Sequence, residues 1–356
     1  MNTEDLKNLD ELRSFLDSQG IGYEEKEEEF SFTCYDKENW VAHMQVLTLD
    51  NPRQKIELRY IPSREFRIDT TKRFGQGYGG IPKNFFGQLS QKKKAEGIRV
   101  IYIKDYEMTE ETEFKCRDKS VVKGYRRKWL VLQSYIRNAC GKQEHRIFAR
   151  DCEVVELDPA EASEFLSKYC FYGKRGATLA LGLKLKKDKD GLKKGTLLFL
   201  TSFGWNFYGN KVKKGAETSD KNVEVIRVGT LHNTQVIGGA SKLLKHFLTS
   251  YMSLTTKSGN EVELNKIVFY VDADHNDGSS MSTLGYTFRK WDDVGFHNFA
   301  LEDIDIPQLK VKKNQCFQRK PMIHKKIMEL MQQKKVISIG TAGTIVYDID
   351  YKTFVP

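Results

Sequence analysis

VIGGASKLLKHFL, residues 236–248, decides how the second half of the chain is read. Leu243, Leu244, Phe247 and Leu248 recur at the spacing of one helical face, and the small residues Gly238, Gly239, Ala240 and Ser241 come just before them. The stretch therefore reads as a glycine-rich turn opening into an amphipathic helix. Backbone N–H groups at such a turn can grip a phosphate, because the first turn of a helix has unpaired donors and the positive end of the helix dipole. Tight packing of the helix on its sheet accounts for the same glycines equally well. Upstream lie a strand at Val223–Leu231, strands at Thr196–Thr201 and Thr178–Leu185 joined by the charged turn KKDKDGLKK, a helix from Asp158 to Lys168, and a strand at Cys152–Leu157. Asp158 followed by Pro159 is a helix start: an N-cap acceptor, then a residue with no N–H to lose. Ile267–Val271 is a buried strand downstream. The order β-α-β-β-β-α-β defines an α/β domain over 152–300. Residues 301–356 form a basic extension packing on it, with a helix at Met322–Gln332 and a strand at Gly343–Asp348.

The first half has a different order. Leu6, Leu9, Leu12 and Leu16 mark a helix over 4–18, and Gly20 ends it. Residues 28–48 alternate in strand fashion through Phe30, Phe32, Cys34, Met44 and Val46, with a turn near Asp36–Asn39. Lys55–Ile61 and Glu65–Thr70 read as two strands joined at Pro62–Ser63. A flexible Gly75–Gly80 loop and a helix from Pro82 to Glu96 follow. IRVIYI, 98–103, is a nearly unbroken apolar run and reads as a central strand covered on both faces. Helix, strands, helix, strand make an α/β sandwich. A helix at Trp129–Ala139 and the polar stretch 140–151 then lead to a boundary, so the first domain is 1–148.

The chain has 356 residues, 39% of them hydrophobic, enough for two buried cores and too many for a disordered chain. Lys+Arg number 58 against 48 Asp+Glu, and a net charge of +10 favours a polyanionic partner, nucleic acid first. Six scattered cysteines form no CxxC pair, which argues against a zinc ribbon or a disulfide framework. MNTEDLKNLD has no apolar signal core, and no segment reaches the roughly 18 apolar residues of a membrane span. The expectation is a cytoplasmic protein with no membrane partner; the sequence leaves its oligomeric state open.

Three further groups of residues carry possible chemistry. Glu57 in KIELRYIPS and Asp69 in EFRIDTTK, with Lys72 close by, fall on the two strands joined at Pro62. Two carboxylates on neighbouring strands can hold a divalent ion such as Mg2+, which activates water and offsets charge on a scissile phosphate. Paired acids on a hairpin are also common as a solvated surface. Lys92, Lys93 and Lys94, and the run Lys115, Arg117, Lys119, Lys123, Arg126, Arg127 and Lys128, interleave with Tyr125, Trp129 and Tyr135. They suit phosphate contacts or a plain charged face. Asp272, Asp274, His275 and Asp277 follow the Ile267–Val271 strand, as a metal loop or as Asx caps on a helix at Ser279–Leu284.

VIRVGTLHNTQVIGGASKLLKHFL together with VFYVDADHNDGSSMSTLGYTF resembles the C-terminal domain of phage homing endonucleases of the Hef type. That domain is similar to acetyltransferase-like (GNAT-like) folds, which include the phage DNA-modification protein Mom. In such folds a bulged strand leads to a phosphate-gripping turn and helix, then a second strand, a short helix and an LGF-type strand; here the last begins Leu284–Gly285–Tyr286. AEGIRVIYIKDYE and HRIFARDCEV resemble the end of the Hef nuclease domain, a restriction-endonuclease-like fold akin to very short patch repair endonucleases. The resemblance implies a metal-dependent endonuclease acting on double-stranded DNA with Mg2+, with Glu57 and Asp69 as metal ligands and Lys72 beside them. Lys92, Lys93, Lys94, Lys123, Arg126, Arg127 and Lys128 would contact DNA. The two acids stand one residue out of the family's register, and IPKNFFGQLSQ lacks the His that the family places there. The second expectation is a Mom-like DNA-modifying transferase, with Gly238, Gly239, Ala240 and Ser241 holding an acyl-CoA-type donor. A non-catalytic DNA-binding protein is the third.

Overall fold

The computed structural model describes residues 3–34, 37–69, 79–205, 222–255, 259, 261–293, 295–317 and 324–351. They form a mixed α/β protein divided into two units. The first comprises Met1–Glu110, Val271–Gly278 and Trp291–Ile345; the second comprises Glu111–Tyr270, Ser279–Lys290 and Val346–Pro356.

In the first unit, helix α1 (Thr3–Ser18) buries Leu9, Leu12, Phe15 and Leu16. Leu6 stays exposed, and the buried stripe continues toward the helix start through Asp5 and Asn8. Strands β1 (Tyr23–Thr33), β2 (Asn39–Leu49) and β3 (Ile56–Ile61) form an antiparallel meander. Helix α2 (Phe85–Ala95) then leads to β4 (Arg99–Lys104), which pairs parallel with β3. The sheet order is β1-β2-β3-β4. Thus β4 is buried as expected but lies at the end of this sheet. Its outer edge is satisfied by Asp274, whose carbonyl accepts from the Tyr102 N–H at 2.8 Å.

The expected Glu65–Thr70 strand is not formed, so there is no hairpin at Pro62. Residues 63–66 turn, and the next two make isolated bridges, Arg67 to Ile339 and Ile68 to Ile81. The turn is held by Trp40, whose indole N–H donates to the Glu65 carbonyl at 2.7 Å while the Arg67 guanidinium lies 4.2 Å from its ring centroid. Gly295–Ala300 pairs with Val336–Thr341, and Ser338 accepts from the Ile68 N–H at 2.7 Å. Residues 301–345 therefore belong to the first unit, not on the second domain as expected.

The second unit begins at Glu111, well before the expected boundary at 148–152. The reason is hydrogen bonding: His145–Phe148 pairs in parallel with Thr234–Ile237, and Arg127, at the start of helix α4 (Arg127–Ala139), donates to the Ser167 and Phe171 carbonyls. Helix α5 (Pro159–Tyr169) is capped as read, the Asp158 carboxylate accepting from the Ala160 and Glu161 N–H groups at 2.9 and 3.0 Å. The main sheet has seven strands: β5 (Cys152–Glu156), β6 (Leu179–Leu185), β7 (Leu197–Trp205), β8 (Asn222–Thr230), β9 (Lys266–Asp272), β10 (Thr287–Asp292) and β11 (Thr344–Asp350). Their order is β10-β11-β9-β8-β7-β6-β5. The first four pair antiparallel in sequence, and β8 and β9 are parallel. Helix α6 (Gly239–Ser250) packs Leu243, Leu244, Phe247 and Leu248 inward, as the quoted stretch predicts; Phe247 stacks on Phe203 at 4.0 Å.

Candidate functional site

Glu57 points into the first unit, where it is 2% exposed. One of its carboxylate oxygens accepts from Arg59 Nε at 2.9 Å and Nη2 at 2.5 Å, and the other from Lys93 Nζ at 3.2 Å. Arg59 also reaches Glu28 at 2.7 Å. With Lys26 on Glu28 at 2.7 Å and Glu96 on Lys93 at 3.3 Å, three carboxylates and three cations make a set with no net charge. A divalent ion gains little there, because the carboxylates already have counter-ions. Asp69 lies beyond the turn, its backbone N–H donating to the Ile81 carbonyl at 3.0 Å; it is not brought beside Glu57 by a hairpin. Lys72 lies outside the described residues. Among the described residues no group of three or more His, Cys, Asp or Glu side chains is arranged to hold a metal ion.

A second charged set is built around Lys104 at the end of β4. Its ammonium is 2.5 Å from Asp274 Oδ2 and 3.9 Å from Glu107 Oε1. His275 Nδ1 lies 2.9 Å from Asp272 Oδ2, and its Nε2 lies 3.7 Å from Glu107. Asp274 Oδ1 accepts from the Ala342 N–H at 2.6 Å. Burial opposes charge on the His275 ring, but Asp272 and Glu107 overcome it and raise its pKa to about 10. Burial likewise opposes charge on Glu107, and Lys104 and His275 overcome it, lowering its pKa to about 2. The DADH cluster of the sequence is therefore an ion-paired core of the first unit. Helix α3 (Asp105–Thr109) supplies Glu107 to it.

The basic residues divide. Lys92 is exposed, Lys93 is engaged by Glu57, and Lys94 donates to the Asp277 carbonyl at 2.6 Å. Thr112–Lys115 and Val121–Tyr125 form a hairpin that exposes Lys115, Arg117, Lys119 and Lys123. Arg126, Arg127 and Lys128 are half-buried.

The glycine-rich turn is preserved as a turn. Gly238 caps α6 at φ 75°, a left-handed conformation that favours glycine, and Gly238 and Ser241 are exposed. Gly239 differs: a Cβ there would lie 2.9 Å from Val236 Cγ1, so this glycine serves packing. Lys242, one turn in, donates to the carbonyls of Ala149 and Cys152 at 2.9 and 2.6 Å.

Ser202 pairs with Arg227 and Phe203 with Val225, so Ile226 is an extra residue, a bulge in β8. Pairing with β9 runs from Asn222 to Val225 and goes no further, while the rest of β8 stays on β7. Glu224 and Arg227 flank the bulge, and the sequence reading missed both. Burial raises the Glu224 pKa, with Arg175 and Arg227 pulling it back. Burial lowers that of Arg227, and repulsion from Arg175 adds to the effect. A charged residue on each side of a strand's apolar run was the available signal. No family model matches the chain, and no curated protein matches it either.

Proposed function

We propose that this protein acts on DNA as a group transferase. The second unit is acetyltransferase-like and holds a phosphate-bearing acyl donor at Gly238–Ser241. The first unit is restriction-endonuclease-like in layout and serves to bind DNA. The observation that carries the reading is the order of three features along the chain: the bulge at Ile226, the end of β8–β9 pairing at Val225, and a helix that starts at a left-handed Gly238. Parallel strands that stop pairing, in a chain that then enters a helix start, suit a slot with an anion grip. The short helix Ser282–Leu284, left-handed Gly285 and the following β10 continue the order that the resemblance implies. In that slot the backbone N–H groups would hold the donor's phosphates, and Glu224 stands at the bulge as a buried carboxyl able to accept a proton.

The nuclease reading keeps one support: α1, the β1-β2-β3 meander, α2 and the parallel β4 give the layout expected of a nuclease unit, with Glu57 on its third strand. Against it stand the ion pairs from Arg59 and Lys93 that occupy that carboxylate. Incubating the full chain with plasmid and Mg2+, with and without acetyl-CoA, then analysing nucleosides by mass spectrometry, tests both. We expect intact plasmid and a nucleoside mass change that depends on acetyl-CoA. Mg2+-dependent nicking that Glu57→Gln abolishes would restore the nuclease reading.

A further inference from the structure

We propose that the loop Cys170–Gly176 of the second unit, with Arg127, Lys128 and Arg227 around it, binds an unpaired nucleotide of a DNA strand, its phosphate among the cations and its base on Tyr172. This deepens the DNA-acting reading above and rests on it.

The loop is built rather than loose. Arg127 Nε donates to the Phe171 carbonyl at 3.3 Å and its Nη1 to Ser167 at 3.4 Å. Arg227 Nε donates to the Gly173 carbonyl at 3.2 Å and its Nη1 to Ile226 at 2.7 Å. Gly173, at φ 66°, lies against Arg127; a Cβ there would be 3.0 Å from the guanidinium carbon. Two arginines therefore fix this loop through its carbonyl oxygens.

Phe171 is buried under the loop, and Lys128 Nζ lies 5.8 Å from its ring centroid. Tyr172 stands edge-on to it at 5.0 Å and is 37% exposed. The Arg227 guanidinium lies 5.8 Å from the Tyr172 ring, and Lys174 and Arg175 are exposed at the loop tip. Glu224 is a buried carboxylate that acts on Arg175 and Arg227, one negative charge beside Lys174, Arg175 and Arg227. Positive charge exceeds negative here, and a guanidinium whose pKa is lowered by burial and by a second arginine gains from an arriving anion.

An aromatic ring on a fixed loop, ringed by cations, suits a planar base with a phosphate attached. Free phosphate would leave the ring unused. A closed duplex hides its base faces in the stack, so the fit is to an unpaired or extruded nucleotide.

The test uses the full chain, with fluorescence anisotropy of a labelled oligothymidylate and of a labelled duplex across a salt series. Tyr172→Ala should weaken oligothymidylate binding about thirtyfold, the middle of the range for one base on one ring. Tyr172→Phe should restore it, and duplex affinity should change less than about twofold. The Lys174→Gln, Arg175→Gln pair should lower the salt slope on the single strand by about 0.7 for each phosphate that is no longer neutralised. Unchanged melting of each variant shows that the fold survives. Wild-type binding that Tyr172→Ala leaves intact overturns this site and spares the DNA-acting reading. A wild-type chain that binds neither probe overturns both. Loss on Tyr172→Ala with no acetyl-CoA effect on melting supports this site while removing the transferase.

Discussion

Arg59, fully buried, and Arg227, half-buried, both lie on interior strands, and their guanidinium groups respond in opposite directions. Burial opposes charge on each. In Arg59 the carboxylates of Glu28 and Glu57 reverse that effect and raise the pKa. In Arg227 the opposing effects do not win: its hydrogen bonds go to the Gly173 and Ile226 carbonyls, Arg175 repels it, Glu224 offsets only part of this, and the pKa falls. A buried charge met by opposite charges is part of the scaffold. A charge hydrogen-bonded to neutral carbonyls and only partly offset, close to exposed cations and an exposed ring, suits a ligand. By this criterion the first unit carries sealed charge and the second carries charge left open.

The largest test of that contrast is Glu57→Gln. Removing the buried carboxylate leaves Arg59 with Glu28 alone and the set one negative charge short, so unfolding in urea should show a loss of about 3 kcal/mol. A near-neutral change would mean that Glu57 is not a structural partner and would reopen its use as a metal ligand. Next is the pH limb of the Lys104 set. His275 has a pKa raised to about 10 against an ordinary 6.5, so its stabilising effect is complete below 6.5 and is lost as pH rises through 10. Melting should therefore fall across that window, by an amount on the order of a few kcal/mol, and His275→Gln should flatten the fall. A wild-type limb that is already flat would show that the imidazole is not held charged.

The third test addresses the open side. Acetyl-CoA at about 100 times its dissociation constant should add roughly 2.7 kcal/mol to stability in a thermal-shift assay. Gly238→Ala, strained at its positive φ, should weaken that protection. Gly239→Val should lower melting even without ligand, since its side chain would meet Val236. Protection untouched by Gly238→Ala would place the donor elsewhere. The smallest effect is expected from Lys115→Gln, Lys119→Gln and Lys123→Gln together. These residues are exposed on a hairpin, so stability should change by no more than about 0.5 kcal/mol while the salt slope for duplex DNA becomes shallower.

Periodicity carried much of the fold. The α6 face, the Asp158 cap and the strands at Cys152, Leu179 and Ile267 follow from local pattern and capping chemistry, which act over a few residues. What failed was pairing. IRVIYI was readable as buried, but its place at the end of a sheet depends on Asp274, which lies 172 positions after Tyr102 and leaves no mark near the strand. The Glu65–Thr70 segment has strand composition, yet Trp40 and Ser338 hold it as a turn and two bridges. Site reading failed in the same way. Glu57 and Asp272–His275 were visible as acids, but whether an acid is exposed or neutralised depends on Arg59, Lys93 and Lys104, and two of those three are distant in sequence. Tyr172 was invisible, and Arg227 showed only as a charge at the end of a short apolar run; the two acquire joint meaning only when a loop brings them within 5.8 Å.

The division of the chain also bears on the order of events during synthesis. The first unit's sheet is complete once β4 has been made, but its Lys104 set waits for Asp272, Asp274 and His275, and its Gly295–Ala300 strand for Val336–Thr341. A nascent chain of about half length would hold the Lys104 ammonium without its nearest carboxylate, Asp274, and an unpaired strand edge, which invites chaperones or aggregation. Folding of this unit is therefore tied to synthesis of Val336–Thr341, with the high contact order that slows collapse to the native state. A ribosome pausing after β4 should leave a protease-sensitive intermediate that becomes resistant only when the segment beyond Val336 emerges.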